Sequence, residues 1–399
     1  MPILLQINTT LNFGSTGHIA EQISLMAEAQ GWKCYIAHGA RYVNPSQINS
    51  IQVGTKTGNI LHAIVGEYLG MHGFGSTLAT YMFIRKVKKI KPDVIHLHNL
   101  HGYYINIAIL FRYLAKANIP VIWTLHDCWS FTGHCTHFES HGCYKWKTEC
   151  GDCPLQTLQY KSRLIDRSRK NFRVKKKLYS NVKNLTLAPV SNWLGNLIKE
   201  SILKGHRIRV IHNGIDLDVF KPCISNVKEQ LGIGKEKKMI LGVVDSGFKG
   251  KKEFIELSKD SNYQIVIVGM RKKWKKDVPD NIICIPRTNS QNELAEFYSA
   301  ADVYVNPTQD DTFPTTNIEA IACGTPVVTY NAGGSPEILD ASTGIVVERN
   351  DIEALHEAIE SILKIGKQYY LIPCRNRAIL HFNKNDRFRD YLELYAELA

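Results

Sequence analysis

No stretch of the 399-residue chain reaches 18 consecutive apolar residues, so no transmembrane helix is expected. The N-terminal Met-Pro-Ile-Leu-Leu-Gln-Ile-Asn lacks a charged leading region and a long apolar core. It reads as a buried first strand, not a signal peptide, which points to a cytoplasmic protein. There is no internal repeat and no low-complexity segment, so repeat arrays and long disordered tracts are not expected. No fold signature for nucleic-acid binding is present either, and nucleic acid is not expected as a partner. Cysteine is not scarce. The ten cysteines, in a chain without a secretory signal, read as free thiols or metal ligands rather than disulfides.

What is present suits a soluble globular protein of two domains. Hydrophobic residues make up 44% and charged residues 22%, enough to bury two cores. The net charge of +12 is uneven. Residues 1–190 carry 22 Lys and Arg against 9 Asp and Glu, a net of +13, whereas 191–399 are near neutral. A basic first half suggests an anionic partner, either a phosphate ligand or the inner face of an anionic cell membrane. The densest run, residues 163–177, reads either as a solvated helix face or as a contact for anionic lipid.

Short apolar runs alternate with helical patterns. Strands are predicted at 2–6, 33–38, 93–97, 121–125 and 186–189, then at 239–244, 263–268, 282–286, 303–306 and 327–330. Helices fall at 19–30, 105–117, 251–259, 291–300 and 316–322. This alternation predicts an α/β fold with a mostly parallel, doubly wound sheet in each half. The expected division is a basic domain 1–190 with a Cys-rich insertion at 128–154, then a second domain 191–375. A C-terminal helix, 376–399, is expected to pack back on the first domain. Ligands of such sheets bind beyond the carboxyl ends of the strands, and the motifs below all follow predicted strands.

Asp311 and Glu319 stand eight residues apart, with Asp311 on a loop and Glu319 one turn inside a helix opened by Thr315-Thr316. A helix N-terminus offers free N–H groups to phosphate, and two carboxylates can accept hydroxyl hydrogen bonds from a sugar and a ribose. Taken alone, the pair reads more readily as acids capping a helix on a solvated face. Asp311-x7-Glu319, followed by Ala320-Ile-Ala-Cys-Gly-Thr-Pro326, resembles the acidic-x7-Glu motif of retaining glycosyltransferases of family 4. That resemblance implies the GT-B fold, two facing Rossmann-like domains with an interdomain crevice. It implies that Asp311 contacts the donor sugar and Glu319 the nucleotide ribose, with Thr315, Thr316 and Asn317 near the diphosphate. The first acid is usually Glu; here it is Asp, and Pro314 stands where Gly is common.

Other segments resemble the same family. Gly14-Ser-Thr-Gly17 is too short for a dinucleotide fingerprint but is similar to the family's glycine loop; otherwise it is an ordinary turn. Ser246-Gly-Phe-Lys249-Gly250 looks like the basic loop that neutralises the leaving diphosphate, although the usual upstream Arg is replaced by Val. Lys249 would then be the main cation, with Lys251 or Lys252 as a fallback. His126, at the end of the strand 121–125, matches a family histidine beside the reacting sugar. His101 is a second choice, and His96 and His98 alternate to one side of their strand. Asn213-Gly-Ile-Asp216 resembles the opening of the family's second domain. Asp216-Leu-Asp218 spells a metal-binding triplet of other glycosyltransferases and is read as chance. Gly333-Gly334-x-Pro336-Glu337 resembles a loop that ends the family's core.

Cys135, Cys143, Cys150 and Cys153 could form a structural zinc site, the last two with knuckle spacing; otherwise they are buried thiols. A similar cysteine-rich insertion is typical of the polysaccharide-biosynthesis branch resembled.

The resemblance implies an enzyme that moves a sugar from a UDP- or GDP-sugar to a growing glycan or lipid-linked acceptor, with retention. It implies no catalytic cofactor, and no covalent residue is assigned. The alternative is a nucleotide-sugar-binding protein of the same fold without transferase activity.

Overall fold

Strands that are apolar along their whole length, without alternation, suit sheets covered on both faces. The computed structural model, which describes residues 1–244, 250–276 and 278–398, has that arrangement twice. One unit comprises Met1–His212 with Phe388–Ala399, and the other Asn213–Arg387.

The first unit holds strands β1 (Ile3–Ile7), β2 (Lys33–His38), β3 (Asn49–Gln52), β4 (Val94–Leu97), β5 (Val121–Leu125), β6 (Leu185–Pro189) and β7 (Arg207–Ile208). They pair in the order β3-β2-β1-β4-β5-β6-β7, all parallel. The order reverses between β1 and β4, whose register sets Leu4 beside Val94 and Ile7 beside Leu97. Every residue of β4, β5 and β6 is buried.

The helix Gly14–Ala29 follows β1 and buries Ile19, Ile23 and Ala27. The last helix, Lys384–Leu398, places Phe388, Leu392, Leu394 and Tyr395 in the same core, against Leu4, Ile36 and Val94. A polar anchor joins them. His96, fully buried in β4, bonds Tyr395 Oη through Nδ1 at 2.6 Å and Thr124 Oγ1 through Nε2 at 2.7 Å. Both ring nitrogens are thereby satisfied, as burial demands.

The second unit holds β8 (Lys238–Val243), β9 (Tyr263–Val268), β10 (Ile282–Ile285), β11 (Val303–Asn306), β12 (Val327–Tyr330) and β13 (Gly344–Val347). Their order, β10-β9-β8-β11-β12-β13, is again parallel and reverses between β8 and β11. The predicted doubly wound α/β class is therefore present in both halves.

Several elements were not legible in the sequence. Strands β3, β7 and β13 each expose part of their length, so none is the fully buried run that marks the four-residue β4 and β12. The helices Lys56–Leu69 and Thr77–Ile90 expose Ile60, Leu61, Ile64, Leu78, Tyr81 and Met82, which blurs the polar stripe that marks a surface helix. The basic run lies largely on the helix Ser168–Tyr179, and its Arg173, Lys176 and Lys177 are exposed. Lys175 departs from that face: it is fully buried.

Replacing Leu394 by Ala should lower the free energy of unfolding by about 2–5 kcal/mol, the usual cost of a core Leu truncation. Urea denaturation of the two proteins measures it. A loss below about 1 kcal/mol would show that this helix is not part of the core.

Candidate functional site

In the second unit the carboxyl ends of β8 and β11 flank the reversal of strand order. The loop after β11 leads through Pro307 and Asp311 to the helix Thr315–Ala322. That helix starts at Thr315 with Pro314 in the capping position, φ −68°, and no side-chain cap. Pro314 thus holds the position just before the Thr315-Thr316 pair that opens the helix, and its fixed φ is compatible with a chain about to enter a first turn. The first-turn N–H groups consequently lack a capping side chain.

Asp311 is held by its own loop. Its Oδ1 accepts from Phe313 N at 3.2 Å, and its carbonyl accepts from Gly334 N at 3.2 Å. Gly333, at φ +57°, passes so close that a Cβ there would lie 1.6 Å from the Asp311 carbonyl oxygen. Only glycine permits that approach, so the Gly333-Gly334 loop sets the backbone position of Asp311.

Glu319 lies one turn inside the helix. Its Oε2 accepts from Tyr298 Oη at 2.9 Å, and Thr315 also bonds its carboxylate. Burial pushes its pKa up to about 7, while the Tyr298 and Thr315 bonds pull it down. Tyr298, from the helix Gln291–Ala300, was not singled out by sequence reasoning, since a buried aromatic on a helix looks like core. Asn317 is fully buried in the first turn; its Oδ1 accepts from Asn306 Nδ2 at 2.7 Å, and its own Nδ2 has no partner among the described residues. Thr315 and Thr316 are half-buried beside it.

Ser246, Gly247, Phe248 and Lys249 lie outside the described residues. Gly250 is described, at φ +75°, and a Cβ there would meet Pro307 Cγ at 2.3 Å. The loops after β8 and β11 therefore touch. The helix Lys251–Leu257 that follows brings in Glu253, a second residue not foreseen. It is buried and accepts from Tyr330 Oη at 3.3 Å and Gln309 Nε2 at 3.4 Å.

Asn213 is buried where this unit begins, and Gly214 packs on the backbone of Lys384. Asp216 is occupied: Oδ2 pairs with Lys384 Nζ at 2.5 Å and Oδ1 accepts from Asp218 N at 3.0 Å. The Asp216-Leu-Asp218 triplet is thus a local turn.

In the first unit Gly14 opens the helix after β1 at φ +65°, and Gly17 packs on Thr10 Oγ1 and the backbone of Asn12. Beyond β4 and β5 lies a histidine cluster around one small cavity. Gln6 donates its amide to Ala20 O and Ser24 Oγ, so its Oε1 accepts from His98 Nε2 at 2.6 Å. His98 Nδ1 is then the acceptor for His126 Nε2 at 3.2 Å. The chain of bonds sets the tautomer of His126 and leaves Nδ1 as its acceptor nitrogen. Burial pushes the His126 pKa down to about 4, so the ring is neutral at physiological pH. His96 and His98 do share a side, with ring centroids 4.1 Å apart. His101 is buried, bonded to Asp127 Oδ2 at 2.7 Å and to Tyr160 Oη.

Cys135, Cys143, Cys150 and Cys153 line one small cavity with His134. Cys150 Sγ accepts from Gly133 N, and Cys153 Sγ lies against His134 Nε2, each at 3.2 Å. The buried Lys175 bonds the carbonyls of Trp129 and Thr132 at 2.6 and 3.2 Å nearby. The donor chemistry suits zinc. The spacing is wider: among the described residues no three cysteine sulfurs fall within 4.8 Å of one another, against roughly 3.8 Å across a tetrahedral zinc.

Both parts of the chain are similar to known proteins. The model for "Glycosyl transferases group 1" matches residues 224–372, and that for "Glycosyltransferase Family 4" matches residues 28–219. An Escherichia coli K12 protein named as a colanic acid biosynthesis glycosyl transferase, WcaC, is 25% identical over 88% of either chain. Among solved structures, sucrose-phosphate synthase from Thermosynechococcus elongatus superimposes with a TM-score of 0.75 at 18% identity, covering 100% of this chain and 99% of that one. Anabaena HepE in complex with UDP-glucose gives 0.67 at 14% identity, over 99% and 100%. With a glycosyltransferase model matching part of each parallel-sheet unit, the chain is a glycosyltransferase with the GT-B fold.

Proposed function

We propose that the protein transfers a sugar, with retention, from a UDP- or GDP-sugar to a growing glycan or lipid-linked acceptor in surface polysaccharide biosynthesis. The observation that carries this reading is the first turn of the helix Thr315–Ala322. There, among the described residues, a buried amide donor of Asn317 lacks a partner and no side chain caps the N-terminus, while Glu319 is positioned by Tyr298. An anionic diphosphate suits those donors, and a ribose diol suits the carboxylate. Asp311 would hold the donor sugar and Lys249 the diphosphate. His126, neutral and fixed in one tautomer, would stand by the reacting centre, and Gly14 and Gly17 would let the backbone approach the donor. The UDP-glucose named for HepE supports the donor class, and the pathway named for WcaC supports the acceptor class.

Calorimetry with UDP and GDP tests this. One of them should bind, and Glu319→Ala should weaken it by about 1–3 kcal/mol, the cost of a lost charged hydrogen bond. Because burial raises the Glu319 pKa to about 7, the folded protein keeps a proton that the unfolded chain releases near 4.5. Stability from this group is therefore highest below that value and falls as pH rises towards 7. Ribose hydroxyls prefer the ionised carboxylate, so nucleotide affinity should rise through pH 7 more steeply in the native protein than in Glu319→Gln. Equal affinities and equal pH profiles would leave Glu319 as an ordinary helix residue.

Structural zinc at Cys135, Cys143, Cys150 and Cys153 would brace the segment that follows His126, by drawing in thiols that already share a cavity. Cobalt substituted there should give a thiolate-to-metal charge-transfer band that Cys150→Ser abolishes. A spectrum without that band counts against zinc.

Peripheral membrane contact is supported by the exposed Ile60, Leu61, Ile64, Leu78, Tyr81 and Met82 on two helices that also expose Arg85, Lys86 and Lys89. Vesicles rich in anionic lipid should retain the protein, and Leu61→Glu with Leu78→Glu should release it. Retention unaffected by those changes would rule this surface out.

A further inference from the structure

We propose that Asp260, His356 and Glu360 form a binding site for a first-row divalent cation, zinc being the best chemical match. One ligand atom from each lies within 4.8 Å of the other two. His356 and Glu360 are four residues apart on the helix Ile352–Ile365, so they project from one face one turn apart. Asp260 comes from the turn before β9. Its Oδ1 is engaged by Asn262 N at 2.8 Å, and its Oδ2 lies 3.4 Å from His356 Nε2. That is long for a charge-assisted hydrogen bond, typically about 2.7–2.9 Å. It is the separation of two ligands on one ion, roughly 3.0–3.5 Å for metal–ligand bonds near 2.0–2.2 Å.

A second observation points the same way. Tyr263 is 3% exposed, yet its hydroxyl has no partner among the described residues, and neither has the buried Oε1 of Glu360. The Tyr263 ring lies 6.2 Å from that of His356, and the charges of Asp260 and Glu360 both act on its hydroxyl. A buried phenol and a buried carboxylate oxygen left unpaired are costly unless something else satisfies them. A cation between the carboxylates, with its water, would engage both. One imidazole with two carboxylates suits zinc and its first-row neighbours better than magnesium or calcium, which take oxygen ligands alone.

The site sits at the amino end of β9, whereas Asp311, Glu319 and Gly250 lie beyond carboxyl ends of the same sheet. It therefore goes beyond the transferase reading and stands whether or not that reading does. Bound metal would tie the helix Ile352–Ile365 to the turn that starts β9.

The test is zinc titration of the chelator-treated full chain by calorimetry and thermal melting, with His356→Ala and Glu360→Gln alongside. Besides any ion held by the cysteines, the native protein should bind an ion that both variants bind at least about tenfold more weakly, and zinc should raise its melting temperature more than theirs. Cobalt at this site should show no thiolate charge-transfer band, which separates it from the cysteines. Glu360→Gln should melt like the native protein without metal, so that misfolding is not the cause of a loss. Identical stoichiometry and affinity in all three proteins, or no zinc binding by the native chain, would overturn the proposal.

Discussion

Parallel strand pairing, with both faces of each sheet covered, is the constraint on which the rest depends. A strand such as β5, Val121–Leu125, has no exposed residue, so it cannot present chemistry along its length. Polar function is pushed to the strand ends, and in a parallel sheet the carboxyl ends all open on one side. Where the order reverses, between β1 and β4 and between β8 and β11, the neighbouring connections depart to opposite faces of the sheet. Space is left there for a ligand. The glycine loop and the histidine cluster flank the first reversal, and Gly250, Asp311 and Glu319 flank the second.

Close backbone approach then sets the second unit's loops. Gly250 lies against Pro307, which joins the loop after β8 to the loop after β11. Gly333 lies against the Asp311 carbonyl, which joins the loop after β12 to the acidic loop. Asp311 is thus placed by main-chain contact with the Gly333-Gly334 loop, and its side chain, one methylene shorter than the usual Glu, starts from a defined position. Glu319 is placed differently, by a tyrosine from the preceding helix. The carboxylate is held near neutrality by burial but kept oriented by that bond.

In the first unit the comparable device is a chain of side-chain bonds. Gln6 on β1, His98 after β4 and His126 after β5 are bonded in series across three adjacent strands. Each residue satisfies the next, which fixes the tautomer, while burial keeps the rings neutral. His96 turns to the same side but spends its nitrogens on Tyr395 of the last helix and Thr124 of β5, so it serves the fold instead.

The sequence by itself determined the α/β class, the longer buried strands and the Asp311–Glu319 spacing. Each of these is a local pattern: an apolar run, a helical period, a fixed offset along one turn. The motif at 311–326 was legible for the same reason. Other features were decided only by tertiary structure. Tyr298 meets Glu319 from 21 residues away, His98 meets His126 from 28, and Asp260 meets His356 from 96. Such partners carry no local signal, because sheet order and not chain order makes them neighbours. The strands β3, β7 and β13 belong with them: each is partly exposed, and pairing at the edge of an existing sheet makes them strands. So does Lys175, one basic residue in a basic run, which only helix packing sets inside while its neighbours stay in water.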